Sequence, residues 1–173
     1  MLTRDLAQAL RTPYDAAEHI KVYHGAAVDS LDGMDEMIKV PSIGDERRSR
    51  QVERRVLVTE VLQPRMTELF YIVSNELDRA GFADQLSAGI ILTGGTSLMA
   101  GLVDLAEDVF DLPVRVGVPS RRMGGLSERV RNPKYATAIG LLCQAFDEME
   151  VQIDEPRRGG LLGKLFGALK DRL

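Results

Sequence analysis

The sequence predicts an α/β fold with an inserted lobe and an amphipathic C-terminal helix. Three observations predict it. Strand-like and helix-like stretches alternate along most of the chain. Residues 26–80 interrupt that alternation with a β-flavoured segment and a long helical repeat. The last thirteen residues carry a cationic-flanked apolar stripe. The 173 residues, 45% hydrophobic and 28% charged, exclude a disordered or collagen-like chain.

From the N-terminus, Thr3 to Leu10 reads as a short amphipathic helix with Leu6, Ala9 and Leu10 on one side. Thr12-Pro13 opens a second helix, with Thr12 as cap, Pro13 at its first position and Asp15 as the capping-box acid. Gly25 ends it. Ala26 to Val40 is β-flavoured, with a turn at Asp32-Gly33 and the run Met37-Ile38-Lys39-Val40, and Pro41 to Arg48 reads as loop. From Ser49 to Ala80, Val52, Val56, Leu62, Met66, Leu69, Val73 and Leu77 recur at helical spacing. Pro64 is expected to kink or divide that helix after Gln63, and Gly81 to close it.

Ala88 to Thr93 reads as a buried strand, Gly94-Gly95 as a turn, and Ser97 to Phe110 as a helix. Val114 to Val118 is a further strand. Asn132-Pro133 caps a helix to about Phe146, and Asp147 to Gly160 is expected as a flexible linker. The domain reading is therefore 1–25 with 81–146, an inserted lobe at 26–80, a linker at 147–160 and a terminal helix at 161–173.

The net charge of −4 hides a split. Arg157, Arg158, Lys164, Lys170 and Arg172 against Asp171 make the tail +4, leaving 17 positive and 25 negative charges, −8, on the rest. Such asymmetry points to a membrane surface or a nucleic acid. Leu161, Leu162, Leu165, Phe166, Leu169 and Leu173 decide between them. At ~100° per residue they fall within an arc of roughly 140°. Lys164, Lys170 and Asp171 lie outside it, and Arg172 at its edge snorkels. About thirteen residues are too few to span a bilayer but enough to lie in its interface. A basic nucleic-acid tail needs no such stripe, so no nucleic-acid partner is expected. The competing reading is a helix docked on its own core; Gly163 and Gly167 weaken an isolated helix and suit one that forms on contact.

Other classes are excluded quickly. Cys143 is the single cysteine, so there is no intrachain disulfide or Cys-rich metal site. His19 and His24 lack nearby ligand partners, and Met1 to Leu10 is no signal peptide. The uncharged run Gln85 to Val103 reaches 19 residues, but its four glycines mark strand, turn and helix start rather than a membrane span.

Ala88 to Ser97 passes from strand to helix through Gly94-Gly95, letting backbone approach an anionic ligand at a helix start. It matches neither a dinucleotide fingerprint nor a P-loop, and alone it reads equally as a tight connection. Glu18 and Lys21 share a helix face. They are either an exposed ion pair worth ~0.2–0.5 kcal/mol or a carboxylate for ribose hydroxyls beside a cationic stem for adenine.

Ala17-Glu18-His19-Ile20-Lys21, Ile91 to Ser97 with Gly101, Leu112 to Gly117, and Ala136 to Leu142 together resemble the bacterial actin-like FtsA family. Thr3-Arg4-Asp5-Leu6-Ala7 is similar to the segment after that family's second phosphate loop, and the tail to its membrane-targeting helix. The resemblance covers nearly the whole chain. It implies the second half of an actin/sugar-kinase-type ATPase fold, with ATP contacts at Glu18, Lys21, Gly94, Gly95 and Ser97. It further implies that the inserted lobe binds the C-terminal peptide of the tubulin-like protein FtsZ around Gln63 to Glu68. Arg65 is the expected contact to that acidic peptide, with Glu68 and Arg54 beside it. Arg47, Arg48, Arg50 and Arg55 read mainly as a solvated face interleaved with Glu46 and Glu53.

The first phosphate loop and first subdomain of the family have no counterpart, so the resemblance implies a fragment or truncated reading frame. It implies Mg²⁺ with ATP only for the full-length family, poor ATP affinity for this chain and no hydrolysis by it, and no metal site. The expected role is a tether of FtsZ filaments to the cytoplasmic face of the inner membrane at the septum. Self-association into actin-like filaments and contact with anionic lipid through Leu161, Leu162, Lys164, Leu165, Phe166, Leu169 and Lys170 go with it. The alternative is another actin-fold ATPase, such as a pilus-assembly homologue or a sugar-kinase-like enzyme. Such a kinase would need an acidic base near bound sugar, a constellation not visible in the sequence.

Overall fold

A computed structural model describes residues 1–82, 85–119 and 130–154, with the side chains of 45–47 and 149–154 outside the description. The expected membrane-contact residues of 161–173 lie outside the described residues.

Helix α1 (Leu2–Ala9) buries Leu2, Thr3 and Leu6. Helix α2 (Tyr14–His24) follows, with Ala17 and Ile20 inward. Thr12 does not cap it. Pro13, with ψ 148°, is itself the cap residue, so Thr12 sits one position too early and its buried hydroxyl has no hydrogen-bond partner. Gly25 closes α2 as expected. A Cβ there would lie 2.2 Å from the Lys21 carbonyl oxygen, which is closer than any side chain tolerates.

Strand β1 (Met37–Ser42) pairs antiparallel with β2 (Asp45–Glu53), Ile38 opposite Val52 and Val40 opposite Arg50. The expected loop at Pro41 to Arg48 is therefore a hairpin turning at Gly44, whose φ is +84°. Ile38 and Val40 face the core while Met37 and Lys39 face out, the period-2 alternation of a one-sided sheet. The charged Asp45 to Arg50 stretch hides β2, because such a strand is held by pairing with β1 and not by its own apolar residues.

The helical stretch consequently begins at Arg54, not Ser49. It runs as α3 (Arg54–Leu57), a π-helical turn (Val58–Leu62) and α4 (Gln63–Arg79). Pro64, at the start of α4, does not divide the stretch. Its missing N–H falls where the π turn hands over to α-helical bonding, a register change that absorbs it. Gly81, φ +71°, stops the helix.

Strands β3 (Ile90–Leu92) and β4 (Val114–Val116) pair in parallel, connected through α5 (Leu102–Phe110). β3 is shorter and less buried than expected: Ile91 is 54% exposed. Helix α5 also starts later than Ser97. Gly95–Leu98 form a 3-10 turn, and the Ala27 amide donates to the Ala100 carbonyl at 2.8 Å, drawing that stretch into a bridge before Gly101 turns at φ +71°. A 3-10 turn at Pro133–Tyr135 leads into α6 (Ala136–Asp154), with the Asn132 side chain accepting from the Lys134 amide. The linker expected from Asp147 is helical as far as Asp154. Glu148 continues the helix, accepting from Gln144 one turn before at 3.1 Å.

One hydrophobic core joins these elements: Leu6 and Ile20, Ile38 and Val40, Leu62 and Phe70, and Leu105 all belong to it. Phe70 of α4 meets Phe110 of α5 with ring centroids 5.4 Å apart. No helix among the described residues is long and apolar enough to cross a membrane.

Candidate functional site

Lys21 lies one turn beyond Glu18 on α2, and its ammonium donates to the Glu18 carboxylate at 2.6 Å. The two are also joined through α1. The buried Thr3 hydroxyl donates to the same Glu18 oxygen at 2.5 Å and accepts from Lys21 at 2.9 Å. Hydrogen bonds from Lys21 first, then Thr3, hold the Glu18 carboxyl below the usual carboxylate range. The pair is therefore neither free nor merely solvated. It is a fixed donor–acceptor cluster whose tether sits in another helix.

This cluster walls a cavity of about 570 Å³, within the range of small-molecule sites. Opposite it come Gly95, Thr96 and Ala100 from the glycine turn, and Asn132 with Lys134 from the start of the α6 segment. The Gly94 amide donates to the Pro133 carbonyl at 3.1 Å, so glycine turn and Lys134 approach as one unit. Gly94 adopts φ +90°, a left-handed conformation that favours glycine. A Cβ on Gly95 would come no closer than 4.0 Å to Lys134 Cβ, leaving an open glycine-lined wall. Cationic stems, one carboxylate and accessible backbone suit a nucleoside with its hydroxyls and flat base.

The structure brings Glu18, Lys21 and Gly95 to one cavity. Gly94 shapes the turn behind the wall. Ser97, 4% exposed, bonds the Gly94 carbonyl through its hydroxyl at 2.7 Å and so closes the turn. Thr3 and Lys134 were not singled out in the sequence. Their only signals were positional: Thr3 begins the Thr-Arg-Asp segment, and Lys134 follows the Asn132-Pro133 cap.

Arg54 is separated from the other residues expected to meet a peptide. It lines the cavity, its Nε donating to the His24 carbonyl at 2.9 Å and its guanidinium reaching the Asp32 carbonyl at 3.3 Å. Arg65 and Glu68 instead border a second groove of about 400 Å³ with Asp5, Gln8, Glu60, Val61 and Pro64. Arg65 pairs with Glu68 and, at 3.1 Å, with Asp5. Among the described residues no three His, Cys, Asp or Glu side chains converge as a metal site.

The fold is that of an actin-like protein. The actin-like MreB5 of Spiroplasma citri, solved bound to AMPPNP, superposes with a TM-score of 0.60 over 87% of this chain and 45% of its own, at 16% identity. The same protein bound to ADP gives 0.55 over 67% and 38%, at 20% identity. The chain belongs to the FtsA family: the family model "Cell division protein FtsA" matches residues 1–140. Cell division protein FtsA of Neisseria meningitidis serogroup B is 49% identical over 93% of this chain and 38% of its own. That of Pseudomonas aeruginosa is 52% identical over 82% and 33%, and that of Escherichia coli K12 is 42% identical over 82% and 35%. The chain thus spans about a third of the length of the curated relatives it matches. The family membership sets aside the pilus-assembly and sugar-kinase alternatives.

Proposed function

We propose that this chain contributes the nucleoside-facing, partner-binding and membrane-anchoring portion of a division scaffold that ties FtsZ filaments to the cytoplasmic face of the inner membrane at the septum. The observation that carries the reading is the convergence of Glu18 with Lys21, Gly95 and Lys134 on one cavity from three separated segments, with the buried Thr3 hydroxyl bonded to Glu18 and Lys21 behind them. A structural ion pair needs neither the buried hydroxyl behind it nor a glycine wall across from it. The nucleotides bound to the actin-like MreB5, ADP and AMPPNP, support ATP as the ligand class.

In this reading Glu18 accepts from ribose hydroxyls, Lys21 and Lys134 flank the base, and Gly95 lets the backbone come close. The triphosphate and its Mg²⁺ carry the hydrolytic chemistry in a complete ATPase. The described residues supply contacts to the nucleoside end, and the chain acts as a binding scaffold and not as an enzyme.

The groove at Arg65 takes the acidic FtsZ C-terminal peptide, and the tail lies on anionic lipid. Each buried tail Leu or Phe contributes at most ~1.5–3 kcal/mol and each nearby cation about 1 kcal/mol. Ordering the helix offsets much of this, so attachment is reversible and gains from side-by-side assembly in filaments. Co-sedimentation with anionic vesicles tests the tether, comparing the whole chain with residues 1–160. Pelleting of the whole chain alone is expected; equal pelleting of both forms overturns the membrane role.

A further inference from the structure

Arg65 is already occupied in the free chain. Its Nε lies 3.1 Å from Asp5 Oδ2, and both atoms are buried without hydrogen-bond geometry to any partner. The other edge of the guanidinium bonds Glu68, one turn along α4. Glu60 stands in the same groove. Two carboxylates thus pair with one guanidinium and a third lines the same groove, so the groove at rest opposes an acidic ligand instead of attracting it.

The Asp5–Arg65 contact is also a poor one. An arginine offers a rigid fork of donors that matches a carboxylate in two parallel bonds. Asp5 satisfies the charge of Arg65 but not that geometry. A peptide carboxylate arriving from solvent can make the aligned, paired bonds that Asp5 does not.

The geometry points to Asp5 as an intramolecular competitor for Arg65, a gate that an acidic peptide must displace to enter the groove. This rests on the reading of the groove as an acidic-peptide site. The gate sits on α1, where Thr3, two residues earlier, is bonded to Glu18 and Lys21 of the nucleoside cavity. At ~100° per residue the two side chains leave α1 on nearly opposite sides. The position of α1 is therefore set on one side by the cavity cluster and read on the other by Arg65.

Fluorescence anisotropy of a labelled FtsZ C-terminal peptide on the whole chain tests the gate. Asp5→Asn and Asp5→Ser each remove the competing charge, one keeping the shape and one discarding it. Both are expected to tighten binding by about three- to tenfold, while Arg65→Glu abolishes it. A gain in affinity cannot come from damage to the fold, which lowers binding. If the peptide binds the wild type but the Asp5 variants bind no tighter, the gate is overturned and the groove reading stands. If neither wild type nor variants bind it, the groove reading fails and the gate with it.

Discussion

Thr3 and Asp5 stand two residues apart on α1 and hold different clusters. The Thr3 hydroxyl bonds Glu18 and Lys21, whereas the Asp5 carboxylate pairs with Arg65. A helix of eight residues therefore contacts both the Glu18–Lys21 cluster that walls the cavity and the groove at Arg65.

Thr3→Val keeps the shape of a buried side chain and removes the hydroxyl that organises the cavity. Its loss is expected to lower unfolding free energy by about 1–3 kcal/mol, read by urea denaturation. Binding of a fluorescent ATP analogue falls with it. Unchanged stability and unchanged analogue binding would show that the hydroxyl only fills space.

Glu18 gives a pH signature. Its carboxyl is held low in the folded chain by Lys21 and Thr3, so the ionised form stabilises the fold. That contribution is present above the ordinary value of 4.5 and is lost as pH falls through the lower folded value. The stability difference between wild type and Glu18→Gln is expected at neutral pH and to shrink on acidification below 4.5. A difference that stays constant with pH would refute the assignment.

Two glycines separate a folding role from a binding role. Gly25→Ala drives a methyl into the Lys21 carbonyl, 2.2 Å away, and is expected to destabilise by about 1–3 kcal/mol. Gly95→Ala meets nothing nearer than 4.0 Å, so its stability stays within about 0.5 kcal/mol of wild type. Its methyl nonetheless enters the cavity wall, and ATP-analogue binding weakens. Equal thermal melts with equal binding would remove Gly95 from the site.

Leu62, fully buried in the π-helical turn, tests the shared core. Leu62→Ala is expected to cost about 2–5 kcal/mol. Because residues of the 26–80 segment pack in one cluster with α1, α2 and α5, calorimetry should show a single transition shifted down. Two separate transitions would mean that the segment folds on its own.

What was legible in advance followed from local rules. Helix α2 was readable from Asp15 in its first turn and the Gly25 stop, and the β3 turn from Gly94-Gly95. Thr12 misled because the cap falls one residue later, on Pro13, and Pro64 does not divide the helix because it sits where the π turn passes into α4. β2 was invisible because Asp45 to Arg50 carries no apolar alternation, and a strand so charged is defined by its neighbour. Of the cavity, Glu18, Lys21 and Gly95 were implied by the family resemblance, whereas their types and spacing alone left an ion pair and a tight connection equally open. Lys134 was not, because nothing in a lone lysine tells which wall it will join.

The sequence by itself determined the α/β alternation, the family and the amphipathic design of residues 161–173, since periodicity and motif spacing are properties of contiguous residues. Only the tertiary structure decided that Arg54 leaves Arg65 and Glu68 to join Lys21 and Lys134 at one cavity. It also decided that Asp5 occupies Arg65. Those partners lie 33 to 80 residues apart in the first case and 60 in the second. Charges so distant along the chain meet only when a shared core, formed by the burial of residues such as Leu6, Leu62 and Leu105, brings their helices together.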